Sequence, residues 1–430
     1  MQSKNKEISF SFVDLFCGIG GFHQALTSNG GKCVFACDID ENCRKVYASN
    51  FCPNNEFPVA DDIRTVVKNK SIPHFDFLCA GFPCQTFSKA GHRNGFTVTK
   101  RANGENDERG QLFFSIIEIL RDHPECKYVL LENVRNLADN KENWAVICRE
   151  LKKLGFIISE TPIIESPHHF GVPQIRERVY ILGIHESHFD KRRTLPDGYI
   201  TRGTLHLDQY LQKCDERSMS IKTILDIQPD KRYLVSNDIN CILQAWEELR
   251  VNTAGLSHPF WLRYAGIGIK DRTLFYNSIS FFDMPIWKQK IVSNIRRYYE
   301  RNHHYIDNWV KKYNMLERIQ LHQKFEWNAG DGYTMKDCII QVRQSGVRVK
   351  RPNYFPSLVA MNNTAIIWDS FLNHYRYLSP KECARLQSFS ESYKFCNKDS
   401  ITYRQLGNSV NVKVLSILTK ELITLGKKIK

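Results

Sequence analysis

Residues 8 to 26 constrain the fold more than any other part of the chain. An apolar-rich strand from Ile8 to Phe16 opens into Cys17-Gly18-Ile19-Gly20-Gly21, and a helix-forming stretch follows from Phe22 to Leu26. A strand that turns through glycines into a helix begins a parallel α/β sheet with a nucleotide-type site at its strand ends. The dinucleotide fingerprint needs a third glycine at position 23, where His23 stands, so the case for NAD weakens at its most diagnostic point. AdoMet (S-adenosylmethionine) fits better, because it needs close backbone approach and carries no pyrophosphate.

A second strand, Cys33 to Cys37, ends at Asp38-Ile39-Asp40, and Asp62 stands at a third strand end in Ala60-Asp61-Asp62-Ile63. Asp38 follows Gly18 by twenty residues, where an acid can accept hydrogen bonds from ribose hydroxyls. Asp62 suits an adenine edge. Taken singly, each acid reads more readily as a helix cap. Together at one sheet edge they read as a site.

The run Phe75-Asp76-Phe77-Leu78-Cys79-Ala80 reads as a short buried strand closed by Gly81, and Phe82-Pro83-Cys84-Gln85-Thr86-Phe87-Ser88 follows. Cys84 falls just past that strand end, where open parallel sheets place their chemistry. Pro83 stiffens its approach, and the polar, glycine-punctuated run from Thr86 to Gly110 has the length of a lid or binding loop. From these residues alone, a nucleophile and an inert half-buried thiol are equally good readings.

A helix starting at Arg109-Gly110-Gln111 sets Leu112, Phe113, Ile116, Ile117 and Leu120 on one face. The strand Lys127 to Leu131 then delivers Glu132-Asn133-Val134. A carboxyl whose pKa is raised by an apolar pocket can hold a proton against a ring nitrogen, although a lone strand-end Glu is more readily a cap or salt-bridge partner. In Pro173-Gln174-Ile175-Arg176-Glu177-Arg178-Val179-Tyr180 the alternation predicts a strand with Arg176 and Arg178 on one face. Such a pair can fork onto Glu132, a base oxygen or a phosphate, or stand solvated on an edge strand.

Near the end of the chain, Ser379 and Glu382 make a capping box with Pro380 at the first helical position. Gly407-Asn408-Ser409-Val410 leads into another helix with Val414, Leu415, Leu418 and Leu422 on one side, capped by Asn408 or Ser409. Between these motif-bearing parts, from about Phe189 to Asn373, the apolar periodicity is short and irregular.

The middle region is also basic. From Trp261 to Arg351 there are 17 Lys and Arg against 8 Asp and Glu, over half of the chain's formal excess of +14. That balance suits a polyanion. Trp261, Tyr264, Trp287, Tyr298, Trp309 and Trp327 fit base packing and core packing equally well. The segment Gln341 to Arg351 carries Arg343, Arg348, Lys350 and Arg351 and no acid. Arg and Gln are side chains that read guanine and adenine edges; a solvated basic hairpin is the alternative.

At 430 residues the chain exceeds the usual size of one core. It has no long apolar run and no signal pattern at its amino terminus, so a soluble, cytoplasmic protein without membrane contact is expected. The 14 cysteines include no Cys-x-x-Cys pair, so no metal site is expected.

The glycine turn, Gly-Phe-Pro-Cys-Gln, Glu-Asn-Val, Gln-x-Arg-x-Arg and Gly-Asn-Ser-Val, in that order, resemble the C5-cytosine-specific DNA methyltransferases of the bacterial restriction-modification type. The resemblance covers nearly all of residues 8 to 183 and 376 to 420. It implies an α/β fold, an AdoMet-dependent methyltransferase (Rossmann-like) sheet domain with a smaller, irregular inserted target-recognition domain. The expected divisions are 1–188 for the first part of the catalytic domain, 189–397 for the target-recognition domain and hinge, and 398–430 for the return.

The resemblance further implies that AdoMet is bound through Phe16, Gly18, Ile19, Gly20, Gly21, Asp38, Ile39, Asp62, Ile63, Pro83, Leu112, Asn408 and Ser409. Phe16 would lie against the adenine face. Cys84 would be the nucleophile, Glu132 the acid at N3 of a flipped-out cytosine, and Arg176 and Arg178 their partners. Gln85 and Ser88 would touch DNA beside the basic segment. The expected partner is double-stranded DNA, the expected state a monomer, and pairing with a cognate restriction endonuclease is anticipated. An RNA-directed relative would share every catalytic motif. The Cys-Phe-Thr tripeptide of the tRNA-directed branch is absent here and the insert is long, so DNA is preferred. A non-catalytic binding protein would not need Cys84, Glu132, Arg176 and Arg178 together.

Overall fold

The computed structural model describes residues 9–83, 99–100, 106–107, 109–188, 195, 198–211, 220–256, 259–267, 269, 281–360 and 364–429. Cys84, Gln85 and Ser88 lie outside them. The described chain divides into two compact units, residues 1–219, 356–360 and 383–430 in the first and 220–355 and 361–382 in the second. This division differs from the breaks expected after 188 and 397. Tyr210 donates its hydroxyl to Glu421 at 2.5 Å, which ties the segment after 198 to the carboxyl-terminal helix of the first unit.

The first unit begins with β1 (Phe10–Leu15), α1 (Gly21–Thr27), β2 (Gly31–Cys37), α2 (Glu41–Phe51), β3 (Val59–Ala60), α3 (Ile63–Asn69) and β4 (Phe77–Ala80). It continues with α4 (Leu112–Asp122), β5 (Tyr128–Val134), α5 (Lys141–Lys153), β6 (Phe156–Ile158), β7 (Ile163–Glu165) and β8 (Arg178–His185). These strands form one sheet in the order β3-β2-β1-β4-β5-β8-β6, with β7 also paired to β8. Pairing is parallel from β3 to β5 and antiparallel around β8.

The central strands are apolar on both faces because helices cover both. Val13, Leu15, Leu78 and Leu131 pack with Ile116, Leu120 and Ile147, while Leu112 is partly buried at the rim of that cluster. Strand order reverses between β1 and β4, and the crevice beyond their carboxyl ends is where a doubly wound sheet accepts its ligand. The glycine turn and Gly81 both lie there.

The second unit has its own core and is more regular than expected. It contains α6 (Asn237–Asn252), β9 (Phe260–Trp261), α7 (Ile286–Tyr313), β10 (Lys324–Asn328), β11 (Ile339–Arg343), β12 (Gly346–Lys350), β13 (Ile366–Asp369) and β14 (His374–Tyr377). The strands pair as β9-β10-β12-β11-β13-β14. Strands of five residues or fewer are too short to announce their alternation in a basic sequence. Tyr264, Tyr298, Trp309 and Trp327 are in the core, Trp261 packs against it, and Trp287 is 62% exposed.

The Ser379–Glu382 capping box forms, with Ser379 Oγ accepting from Glu382 N at 3.2 Å and Glu382 Oε2 accepting from Ser379 N at 2.7 Å. It opens α8 (Pro380–Leu386), after which come α9 (Asp399–Asn408) and α10 (Val412–Lys428). The cap of α10 is Asn411, which accepts from Val414 N at 3.1 Å, rather than Asn408 or Ser409. Asn408 closes α9 and Ser409 stands between the two helices.

Candidate active site

The glycine turn is held at its start by Asp38. Asp38 Oδ2 accepts from Gly18 N and Oδ1 from Asp40 N, both at 2.8 Å, so the acid at the end of β2 fixes the turn at the end of β1. Burial pushes the Asp38 carboxyl up, against those two amides. Gly18, with φ 52, has nothing near the place a side chain would occupy, whereas a Cβ on Gly20 would come within 2.2 Å of Phe51. The turn therefore presents backbone to an open side and packs its other side tightly.

Phe16 precedes the turn with φ 54, a sparsely populated conformation for a non-glycine residue. Ile39 is 73% exposed beside Asp38. Two apolar side chains flanking a carboxylate and an open backbone turn fit an adenosine with ribose hydroxyls. Asp62 caps α3 through Arg64 N at 2.9 Å and pairs with the Arg64 guanidinium at 2.7 Å, which holds its carboxyl below the usual range. The helix-cap reading of Asp62 is thus present in the structure, and Ile63 next to it is buried core.

The strip at the carboxyl end of the chain folds onto this turn. A Cβ on Gly21 would meet Val410 Cγ2 at 2.5 Å, so Ser409-Val410 lies directly against α1. Asn408 is exposed and Ser409 buried. Arg176 pins the same strip, donating to the carbonyls of Gly407 at 3.0 Å and Ser409 at 2.6 Å, and also to Ser357 Oγ and the Leu358 carbonyl.

That placement corrects the expectation for the two arginines. They do not share the face of one strand, because pairing stops at Ile175 and resumes at Arg178. Arg178 lies beside Glu132, its Nε 3.0 Å from Oε1. Glu132 is 8% exposed, and burial raises its pKa while Arg178, and then Arg176, pull it back. Glu132 sits within β5, paired with Tyr180 across the sheet, rather than after the strand.

Gly81 and Phe82 bring the cysteine motif to the same place. A Cβ on Gly81 would lie 3.8 Å from Glu132 Oε2 and 3.8 Å from Val410 Cγ1. Asn133 donates from Nδ2 to the Phe82 carbonyl at 3.1 Å and accepts from Val134 N at 2.8 Å. The buried Asn133 side chain thus ties the residue after Glu132 to the backbone two residues before Cys84. The Glu-Asn-Val pattern by itself does not signal this tie, because the acceptor is a backbone carbonyl 51 residues away.

The profile of the C-5 cytosine-specific DNA methylase family matches residues 10–259 and 262–424. The chain belongs to that family. It is similar to the Type II methyltransferase M.HpaII of Haemophilus parainfluenzae, with 30% identity over 98% of this chain and 91% of the relative. It is also similar to the Type II methyltransferase M.AluI of Cellulosimicrobium cellulans, with 28% identity over 96% and 91%. Among solved structures, the S. pombe Dnmt2 methyltransferase has a similar fold, with a TM-score of 0.57 at 18% identity over 97% of this chain and 99% of that one. The methylase fold is therefore an AdoMet-type α/β sheet whose sequence is interrupted by that of a second unit. No helix among the described residues is long and apolar enough to cross a membrane.

Of the DNA-reading candidates, Arg343, Arg348 and Lys350 are on the polar face of β11 and β12, where direct pairing places Gln341, Arg348 and Glu326 side by side. Arg348 pairs with Glu326 at 2.6 Å, and Arg343 donates to Gln341. Arg351 instead holds the carbonyl of Ala329 at 2.9 Å.

Proposed function

We propose that this methylase modifies cytosine in a short duplex DNA sequence, as the methyltransferase of a Type II restriction-modification system in a bacterial cytoplasm, using Cys84 and Glu132 as its covalent and acid groups. The observation that supports this reading best is Glu132: a buried carboxyl with raised pKa, oriented by Arg178 and set beside Gly81 of the cysteine motif.

Flipping the target base out of the duplex costs a few kcal/mol of stacking and pairing, which contacts to the protein must offset. The Cys84 thiolate adds to C6 while Glu132 gives its proton to N3, and the ring's electron density moves to C5. Bound AdoMet supplies an electrophilic methyl group. Phe16, Gly18, Ile19, Gly20, Gly21, Asp38, Ile39, Asp62, Ile63, Pro83, Leu112, Asn408 and Ser409 are proposed to hold it, with Asp38 accepting from the ribose. Loss of the C5 proton to water, with return of the N3 proton to Glu132, then breaks the C6–S bond and returns Cys84 as thiolate. Covalent addition divides one difficult step into several easier ones. Arg178 keeps Glu132 aimed; Arg176 holds the Ser409 strip.

Fluorine at C5 cannot leave as a cation, so DNA carrying 5-fluorocytosine at the target should be methylated and retained. Wild-type protein with AdoMet should give a denaturation-resistant adduct that maps to the peptide containing Cys84, and Cys84→Ala should give none. Full methyl transfer by Cys84→Ala would remove the cysteine from the mechanism.

A further inference from the structure

The segment Ser390 to Lys394 lies across the elements that carry the glycine turn. Ser390 N donates to Gln24 Oε1 of α1 at 3.3 Å. Asn50 of α2 bonds Lys394 through both backbone groups, at 2.8 Å to its carbonyl and 2.9 Å from its amide. Between these fixings Tyr393 is buried, its ring against Phe389, Phe395 and Phe51, and its hydroxyl donates to the Ile19 carbonyl. Arg404 adds an ion pair to Asp40 at 3.1 Å, the residue whose amide orients Asp38.

Ile19 and Gly20 share a peptide unit in that turn. Its carbonyl accepts from Tyr393 and its N–H donates to the Cys17 carbonyl at 2.8 Å, so a flip of this one plane would break both bonds. A turn built from Gly18, Gly20 and Gly21 is otherwise free to sample such flips. We propose that Tyr393 is a positioning residue for AdoMet: it locks the Ile19–Gly20 peptide from outside, so that the turn is preset before the cofactor arrives. Preorganisation of this kind raises affinity by lowering the cost of ordering the site. The inference rests on the AdoMet reading of the turn, and goes beyond it in assigning a residue 374 positions away.

Tyr393→Phe keeps the ring packing and removes only the hydroxyl. AdoMet Kd by calorimetry and KM for AdoMet should both rise about five- to tenfold, the usual effect of leaving one buried acceptor unpaired. The kcat and the KM for DNA should stay within about twofold. Tyr298→Phe deletes the buried tyrosine bond to Thr253 in the other unit, and should lower the melting temperature without moving AdoMet affinity. Asn50→Ala, at the end of the strap, should weaken AdoMet in the same direction if Tyr393→Phe fails to fold. Unchanged AdoMet affinity in a folded Tyr393→Phe or Asn50→Ala variant, or a change confined to kcat or to DNA, overturns the assignment. Failure of the wild-type protein to bind AdoMet would instead overturn the cofactor reading.

Discussion

The Arg178 guanidinium stands 3.0 Å from the Glu132 carboxylate, reaching it from the antiparallel strand that pairs with the Glu132 strand. Arg178 acts on the Glu132 proton in the opposite sense to burial. Burial favours the neutral acid, and the cation favours its loss. Burial prevails, so the group keeps its proton to higher pH than an exposed glutamic acid while its direction is fixed.

Glu132→Gln should therefore retain AdoMet affinity and lower kcat by about 10²–10⁴-fold, the range for loss of a positioned proton donor. The pH profile follows from the direction of the shift. The protonated carboxyl is the active form, so the rate falls as pH rises through its raised pKa. Arg178→Gln removes the charge that opposes burial and should carry this alkaline limb to higher pH, at lower kcat. A limb that moved to lower pH in Arg178→Gln would contradict the assignment of Glu132 as the acid.

Arg176 should behave as a structural residue. It is 3% exposed and meets three backbone carbonyls and one hydroxyl, an arrangement a lysine cannot reproduce. Arg176→Lys is expected to lose roughly 2–3 kcal/mol by urea denaturation, since hydrogen bonds to a charged group are worth more than neutral ones. Arg178→Lys, on a partly open ion pair, should lose less stability and more kcat. Equal losses of stability in the two variants would show that the carbonyl contacts of Arg176 contribute little.

His23 predicts an acid sensitivity of the first unit. Its ring lies against Phe51 and Phe12 and its Nδ1 is 2.8 Å from the Tyr47 hydroxyl. Burial lowers its pKa from 6.5 to about 3. The unfolded chain takes up this proton near 6.5 and the folded chain does not until about 3, so across that window the folded state binds fewer protons. The stability is fully present above the upper value and is lost as pH falls, at about 1.4 kcal/mol per pH unit from this group. Denaturation at about pH 7 and about pH 5 should show the loss, and His23→Gln should flatten it. An unaltered slope in that variant would exclude His23 as the source.

The chemistry-bearing residues were more legible in the sequence than their connections. Glycine turns, strand-end acids and the cysteine motif are local patterns; that the sheet brings Gly81, Glu132 and Val410 together is not local. Arg176 and Arg178 misled because alternation cannot show that pairing stops at Arg176 and Glu177 and resumes only at Arg178. The aromatics of the second unit were ambiguous because spacing does not tell a core face from a binding face; only burial does, and it puts Trp309 inside and Trp287 outside. Tyr393 had no signal at all, since its partner is a single backbone carbonyl near the other end of the chain.

The second unit yields the last expectation. On the polar face of its sheet, Arg343, Arg348 and Lys350 stand near the carboxylate of Glu326, and burial together with the neighbouring arginines lowers the pKa of both Arg343 and Lys350. Cations held short of counter-charge on a protein surface favour an incoming polyanion. Replacing Arg343 and Lys350 by Met should weaken DNA binding. If both meet phosphates, the slope of log affinity against log salt should fall by about 2, because each lost contact releases about one counterion fewer. If Arg343, steadied by Gln341, instead reads a guanine edge, the double variant should methylate relaxed sites with a smaller change of slope. Arg351→Met, which frees the Ala329 carbonyl, should cost stability and leave the salt slope alone. Unchanged affinity, slope and site choice in the double variant would mean that this face does not meet DNA.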